Sequence, residues 1–134
     1  MWTALPERAS IYEVSLRDGL QNEQRSVPTA AKLELAEALF RTGLKRVELT
    51  SFVSPKWVPQ LADAEEVAKR VSVPEGVTLS ALVPNAHGFE RARSSGLREI
   101  AVFLSASETH NRKNTRKSIE RSLETFREIV PPAL

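Results

Sequence analysis

Arg17, Asp18 and Gly19, followed at once by Leu20, Gln21, Asn22 and Glu23, set a guanidinium, a carboxylate and amides where an apolar run gives way to a polar loop. A carboxylate at such a point can hold a divalent cation through hard oxygen ligands. The adjacent guanidinium can clamp an oxyanion with its planar fork of donors. Gly19 lets the backbone turn close to whatever is held. A lone Arg-Asp pair in a loop is more often a surface ion pair or a turn cap. Position gives this pair its weight, because parallel α/β folds bind ligands at that end of their strands.

Glu48 is the second candidate. In the run Arg46-Val47-Glu48-Leu49-Thr50, Val47 and Leu49 share one face and Arg46, Glu48 and Thr50 the other. If the apolar pair faces helices, Glu48 points inward near the ligand end. A buried carboxylate there must be paired, hydrogen-bonded or close to a metal. Arg17 is the expected partner, and Glu13 is expected on the same inward face. A purely structural ion pair fits the pattern equally well. Phe52 and Trp57, in the proline-stiffened loop 51–60, either line a pocket or plug the loop onto the sheet. Arg112, Lys113, Arg116 and Lys117, with His110, Asn111 and Asn114, either meet phosphates of a large cofactor-like substrate or form a solvated charge run entering a helix. His87 and His110 belong to no paired-histidine metal motif.

Four β-loop-α units have to position these groups. Strands are expected at residues 10–16, 46–50, 77–83 and 99–104. Helices are expected at 29–42, with Thr29 as cap, then 62–71, then from a cap at Asn85 to Ser95, and at 118–130. Leu33, Ala36, Leu39 and Phe40 form a stripe at helical spacing, as do Ile119, Leu123, Phe126 and Val130. Gly43 and Gly96 end helices, and Pro131-Pro132 is expected to stop the last one. Gly43-Leu44-Lys45-Arg46-Val47 is echoed by Gly96-Leu97-Arg98-Glu99-Ile100 ahead of the fourth strand. Helix-to-strand connections are mostly short; three of the strand-to-helix ones are long and polar. That asymmetry marks a (β/α) barrel, whose eight units need roughly 200 residues or more. The expected fold is therefore α/β, half of a (β/α)8 TIM barrel, with residues 1–134 as one partial domain.

The 134 residues are 41% hydrophobic and 27% charged, with a formal net charge of +2. Basic residues are not interleaved with aromatics, so no nucleic-acid partner is expected. No apolar run approaches the ~20 residues of a membrane span. With no cysteine, thiolate catalysis, thiolate metal sites and disulfides are excluded within these residues. Residues 1–10 hold no signal-peptide core, and the expected location is cytoplasmic.

The stretch from Arg17 to Glu23, the run from Val47 through Thr50-Ser51-Phe52-Val53-Ser54-Pro55-Lys56-Trp57-Val58-Pro59 to Gln60, Val83-Pro84-Asn85, and Ser105-Ala106-Ser107-Glu108 together resemble hydroxymethylglutaryl-CoA lyases. The Arg-Asp-Gly triplet alone is shared with a wider group of metal-dependent barrels that includes isopropylmalate and homocitrate synthases and some aldolases. The segment 51–60 is more specific to the lyase branch. The resemblance implies a TIM barrel holding one divalent cation, Mg²⁺ or Mn²⁺. It implies retro-Claisen cleavage of an acyl-CoA, 3-hydroxy-3-methylglutaryl-CoA, into acetyl-CoA and acetoacetate. Asp18 would be the metal ligand, Arg17 the enolate-stabilising catalytic group, and Glu48 a catalytic and substrate-side glutamate. Gln21 would bind substrate next to the metal. The family's paired histidines, metal-binding asparagine and glycine-rich cysteine loop come from the second half of its barrel and are not among these residues. The resemblance therefore implies an incomplete metal site, no turnover by this stretch alone, and association through open strand edges, most simply as a homo-oligomer. A non-catalytic half-barrel that assembles or binds acyl-CoA, and half of a sister synthase or aldolase, are the alternatives.

Overall fold

The computed structural model describes residues 6–134. Four parallel strands, β1 (Tyr12–Glu13), β2 (Arg46–Ser51), β3 (Thr78–Leu82) and β4 (Glu99–Ala101), lie side by side in chain order. The helices are α1 (Thr29–Arg41), α2 (Ala64–Arg70), α3 (Ala86–Ser94), α4 (Glu108–Thr115) and α5 (Ile119–Ala133). A parallel sheet needs a crossover between successive strands, and helices supply each one here. Among the described residues no helix is long and apolar enough to cross a membrane.

Apolar burial lies on the helix side of the sheet, in two clusters. Val47 and Leu49 of β2 meet Ala36 and Phe40 of α1, together with Leu16, Val67 and Leu79. Phe52, Ala64, Ala81, Val83, Phe89, Ala92 and Ile129 form the second cluster. The stripe expected on α1 is confirmed, with Leu33 and Leu39 packed at its margin. Gly43 follows that helix at φ +86°, a conformation open to glycine at little cost. Asn85 caps α3 as expected, its side chain accepting from the Gly88 amide at 2.9 Å. That first turn sits hard against the end of β2. A Cβ on Gly88 would lie 2.9 Å from the Phe52 carbonyl oxygen and 3.0 Å from Pro84 Cδ.

Several boundaries differ from the sequence expectation. The first strand keeps two residues rather than seven, because Val14 turns out of extended conformation at ψ 5°. The chain then winds into a π-helical turn, Ser15–Gly19, which drives Leu16 into the core. Thr29 does not cap α1; Pro28 holds that position, and the Thr29 hydroxyl donates to Asp63 Oδ2 at 2.7 Å. Asp63 also accepts from Lys32, whose Nζ donates to the Gln60 carbonyl as well. A lysine only 4% exposed thus ties α1 to the approach of α2.

The loop expected at 105–117 contains α4. Ser107 caps its start, and Arg116 ends it in the left-handed region at φ 59°. Pro131 and Pro132 do not stop α5, which runs through them. The carbonyls they leave without N–H donors belong to Arg127 and Glu128, which are exposed and can turn to water. The buried face of α5 is also rotated from the expected stripe: Ser122, Thr125 and Ile129 face inward, while Leu123 and Val130 remain exposed.

Candidate functional site

The π-helical turn puts Arg17 and Asp18 just past the end of β1, where Arg17 makes two carboxylate contacts. Its Nε donates to Glu48 Oε1, and its Nη1 donates to Asp18 Oδ1 at 2.6 Å. The pairing of Arg17 with Glu48 expected from strand alternation is therefore present. One guanidinium touching both acids also puts Asp18 and Glu48 on the same rim.

Glu48 is 2% exposed and has both oxygens in use. Its Oε2 accepts from the Tyr12 hydroxyl at 2.7 Å, and the same hydroxyl lies 2.5 Å from Ser80 Oγ. A phenol has one proton, and a carboxylate can only accept. Ser80 must therefore donate to the Tyr12 oxygen. Among the described residues no buried side-chain N or O lacks a hydrogen-bond partner. Burial pushes the Tyr12 phenol up to about 12; the Ser80 hydrogen bond opposes the shift and Glu48 reinforces it.

Glu13 is not on this inner face, contrary to expectation. Register sets Tyr12 beside Arg46 and Glu13 beside Val47, and Val47 packs among the helices. Glu13 instead accepts from the Ser15 backbone amide at 2.7 Å, and that contact holds its carboxyl below the usual range. It fastens the start of the π-helical turn.

Asp18 is open to solvent, with more than half its side chain exposed. Its backbone carbonyl accepts from Asn22 Nδ2 at 2.7 Å. Gln21 follows, half-buried, on the same connection. As a hard oxygen donor Asp18 fits one position on a divalent cation. No group of three or more His, Cys, Asp or Glu able to hold a metal exists among the described residues. One such donor falls well short of the about six ligands that a hard divalent cation wants.

A pocket of about 290 Å³ lies at the same end of the sheet, beyond β2, β3 and β4. Val53, Trp57, Phe103, Asn114, Lys117 and Phe126 are among its walls. The two aromatics of loop 51–60 thus divide the roles proposed for them. Phe52 is a buried plug, and Trp57, 53% exposed, lines the pocket. Arg116 stacks over the Trp57 ring at 4.3 Å. Arg112 is held by Glu108 on the exposed face of α4.

Asn111 is fully buried and not available to a ligand. Its Oδ1 accepts from the Ser105 amide, and its Nδ2 donates to the Lys117 carbonyl and Ser122 Oγ. Asn111→Ala should lower unfolding free energy by about 2–3 kcal/mol, because it removes three hydrogen bonds from a fully buried side chain and leaves a cavity. Urea denaturation measures this, and a loss below about 0.5 kcal/mol would show that the network does not hold α4 to α5.

The HMGL-like family matches residues 8–133. Hydroxymethylglutaryl-CoA lyase YngG of Bacillus subtilis is 50% identical over 124 residues, covering 92% of this chain and 42% of that protein. The mitochondrial lyase of Gallus gallus is 47% identical over 130 residues, covering 97% and 44%. The crystal structure of the Bacillus subtilis HMG-CoA lyase superposes with a TM-score of 0.91 at 49% identity, over 95% of this chain and 43% of that one. The Acinetobacter baumannii HMG-CoA lyase in complex with coenzyme A and 3-methylmalate superposes at 0.88 with 41% identity, over 92% and 40%. The four β/α units thus correspond to part of a TIM barrel, and the chain spans less than half the length of these relatives.

Proposed function

The chain belongs to the HMGL-like family, and from that premise we propose that it forms the Arg17 half of a hydroxymethylglutaryl-CoA lyase active site, cleaving 3-hydroxy-3-methylglutaryl-CoA to acetyl-CoA and acetoacetate. The observation that carries this reading is the Arg17 fork, held by buried Glu48 on one side and by exposed Asp18 on the other.

In the cleavage the tertiary hydroxyl loses its proton and its oxygen becomes the ketone of acetoacetate as the bond between C2 and C3 breaks; the electron pair becomes an enolate on the thioester, and a proton returned to C2 gives acetyl-CoA. A bound Mg²⁺ or Mn²⁺ would supply Lewis acidity to that hydroxyl. Asp18 offers one of its ligands, and Gln21 stands beside it. Arg17 Nη2 makes no hydrogen bond among the described residues, so both of its protons are free to face the enolate oxygen. A donor fixed before charge develops stabilises the transition state more than the ground state. Glu48 is held at one oxygen by Arg17 and at the other by Tyr12, and Tyr12 keeps its proton, so we give neither the part of base for the hydroxyl proton. That base belongs to the rest of the barrel. We place a CoA arm in the pocket between Trp57, Lys117 and Phe103; that a relative binds coenzyme A at all is shown by the Acinetobacter baumannii complex.

The strong likeness to proteins named as lyases favours this reading over a sister synthase or aldolase. The order of the sheet leaves β1 and β4 with unpaired edges, and Ile11, Phe103, Leu123 and Val130 are exposed. Unpaired parallel edges invite further strands. We therefore expect these residues to self-associate alone and to pair with further barrel units when they are supplied.

One experiment reads both. The chain is purified alone and after co-expression with the C-terminal half of the Bacillus subtilis relative. Each sample is sized by light scattering and assayed with Mg²⁺. Expected are an inactive oligomer alone and an active complex with the added half. A stable complex without turnover would reject the lyase reading in favour of a non-catalytic module. Turnover by the chain alone would reject the shared-site reading.

A further inference from the structure

Side chains on the inner face of the sheet form an unbroken relay between its two edges. Glu99 on β4 accepts from Arg46 Nη2 on β2 at 2.7 Å. The Arg46 guanidinium lies 5.3 Å from the centre of the Tyr12 ring on β1. The Tyr12 hydroxyl crosses back to Glu48 on β2 while accepting from Ser80 on β3. Glu48 then holds Arg17, and Arg17 holds Asp18. The cleavage described above uses the last three groups and gives Tyr12 and Ser80 no part.

We propose that Tyr12 and Ser80 are positioning residues: they lock the Glu48 carboxylate in the one orientation that holds Arg17 with its Nη2 turned toward the ligand. A glutamate bound only through Oε1 can rotate about its last torsion, which is broad. With Oε2 also pinned, that freedom is lost. The pin comes from two neighbouring strands, so it is as rigid as the sheet. The phenol remains a donor throughout the physiological range, so it always directs its proton at Glu48. The inference rests on the lyase reading for what Arg17 faces, but the coupling can be read without turnover.

Tyr12 is the only tyrosine in the chain. Phenolate absorbance after a rapid pH jump, before the fold can respond, therefore reports Tyr12 alone. The charged and polar groups facing it are Glu48, Glu99, Arg46 and Ser80. The expected midpoint is about 12 in the unaltered chain. Glu48→Gln should lower it, by removing a negative acceptor. Ser80→Ala should raise it further, by removing a donor to the phenolate. A midpoint at the ordinary 10.0, or shifts of like sign in the two variants, would overturn the proposal. Exchange of the Arg17 Nε proton, followed by nitrogen-15 NMR, should quicken about tenfold in Tyr12→Phe, the scale of one hydrogen bond to a charged group. Unchanged exchange in a folded variant would also overturn it, and should that variant not fold, the Ser80→Ala midpoint decides. Opposite shifts with an inactive completed barrel would refute the lyase reading and leave the positioning role standing. An active barrel with an ordinary Tyr12 midpoint would do the reverse.

Discussion

Arg17→Gln in the completed barrel is expected to lower kcat for 3-hydroxy-3-methylglutaryl-CoA cleavage by roughly 10²–10³-fold, with KM changed little. Charge gathers on the thioester oxygen only as the carbon–carbon bond breaks, so a donor aimed there contributes mainly to the transition state. Arg17 is held on both sides before any ligand arrives, which removes the cost of organising it during reaction. The same change takes a cation from beside buried Glu48, so the variant should also lose stability. Measuring kcat at a temperature well below its unfolding midpoint separates the two effects. A kcat within about threefold of the unaltered barrel, on the scale used for a lost oxyanion donor, would remove Arg17 from the chemistry.

Glu48→Ala is expected to destabilise the chain by about 3 kcal/mol. Removing one partner of a buried ion pair costs roughly 3–5 kcal/mol, because the other charge is left uncompensated. The low end applies, since the Arg17 side chain retains 19% exposure and can reach water. Tyr12 also loses its acceptor. Thermal unfolding should shift down by about 10 °C for a chain of this size. Replacing both partners, Arg17→Met with Glu48→Leu, should recover part of that loss, because no charge is then stranded. A Glu48→Ala chain as stable as the original would mean the pair is solvated and Glu48 fixes nothing.

The pairing of Arg17 with Glu48 was legible in the sequence because β2 is long enough to show its phase. Val47 and Leu49 alternate with Arg46, Glu48 and Thr50, and an acid pointing inward needs a cation. Gly43 and Asn85 were legible for a local reason: each does a job few other residues do as well. The phase of β1 was not. It holds two paired residues, and its register against β2, not its own pattern, decides that Tyr12 faces inward and Glu13 outward. Helix α4 escaped notice because it buries only Asn111, so no apolar stripe marks it. Ser107, three residues before His110, was the available signal, as a side-chain cap at the helix start. The burial of Asn111 was not legible because a polar residue in the interior looks like any surface one until its partners are brought together by the fold. The rotation of α5 has the same origin. Ser122 and Thr125 can face inward because Asn111 and Lys117 satisfy them, which leaves Leu123 and Val130 outside.

The first strand is joined to its neighbour over two residues, yet Arg17 and Asp18 hang directly from it. Whatever molecule grips those two groups also tightens that short seam. Its affinity and the local order of the chain therefore rise and fall as one linked quantity. The grip of the site is set partly by how few residues join its threshold to the sheet.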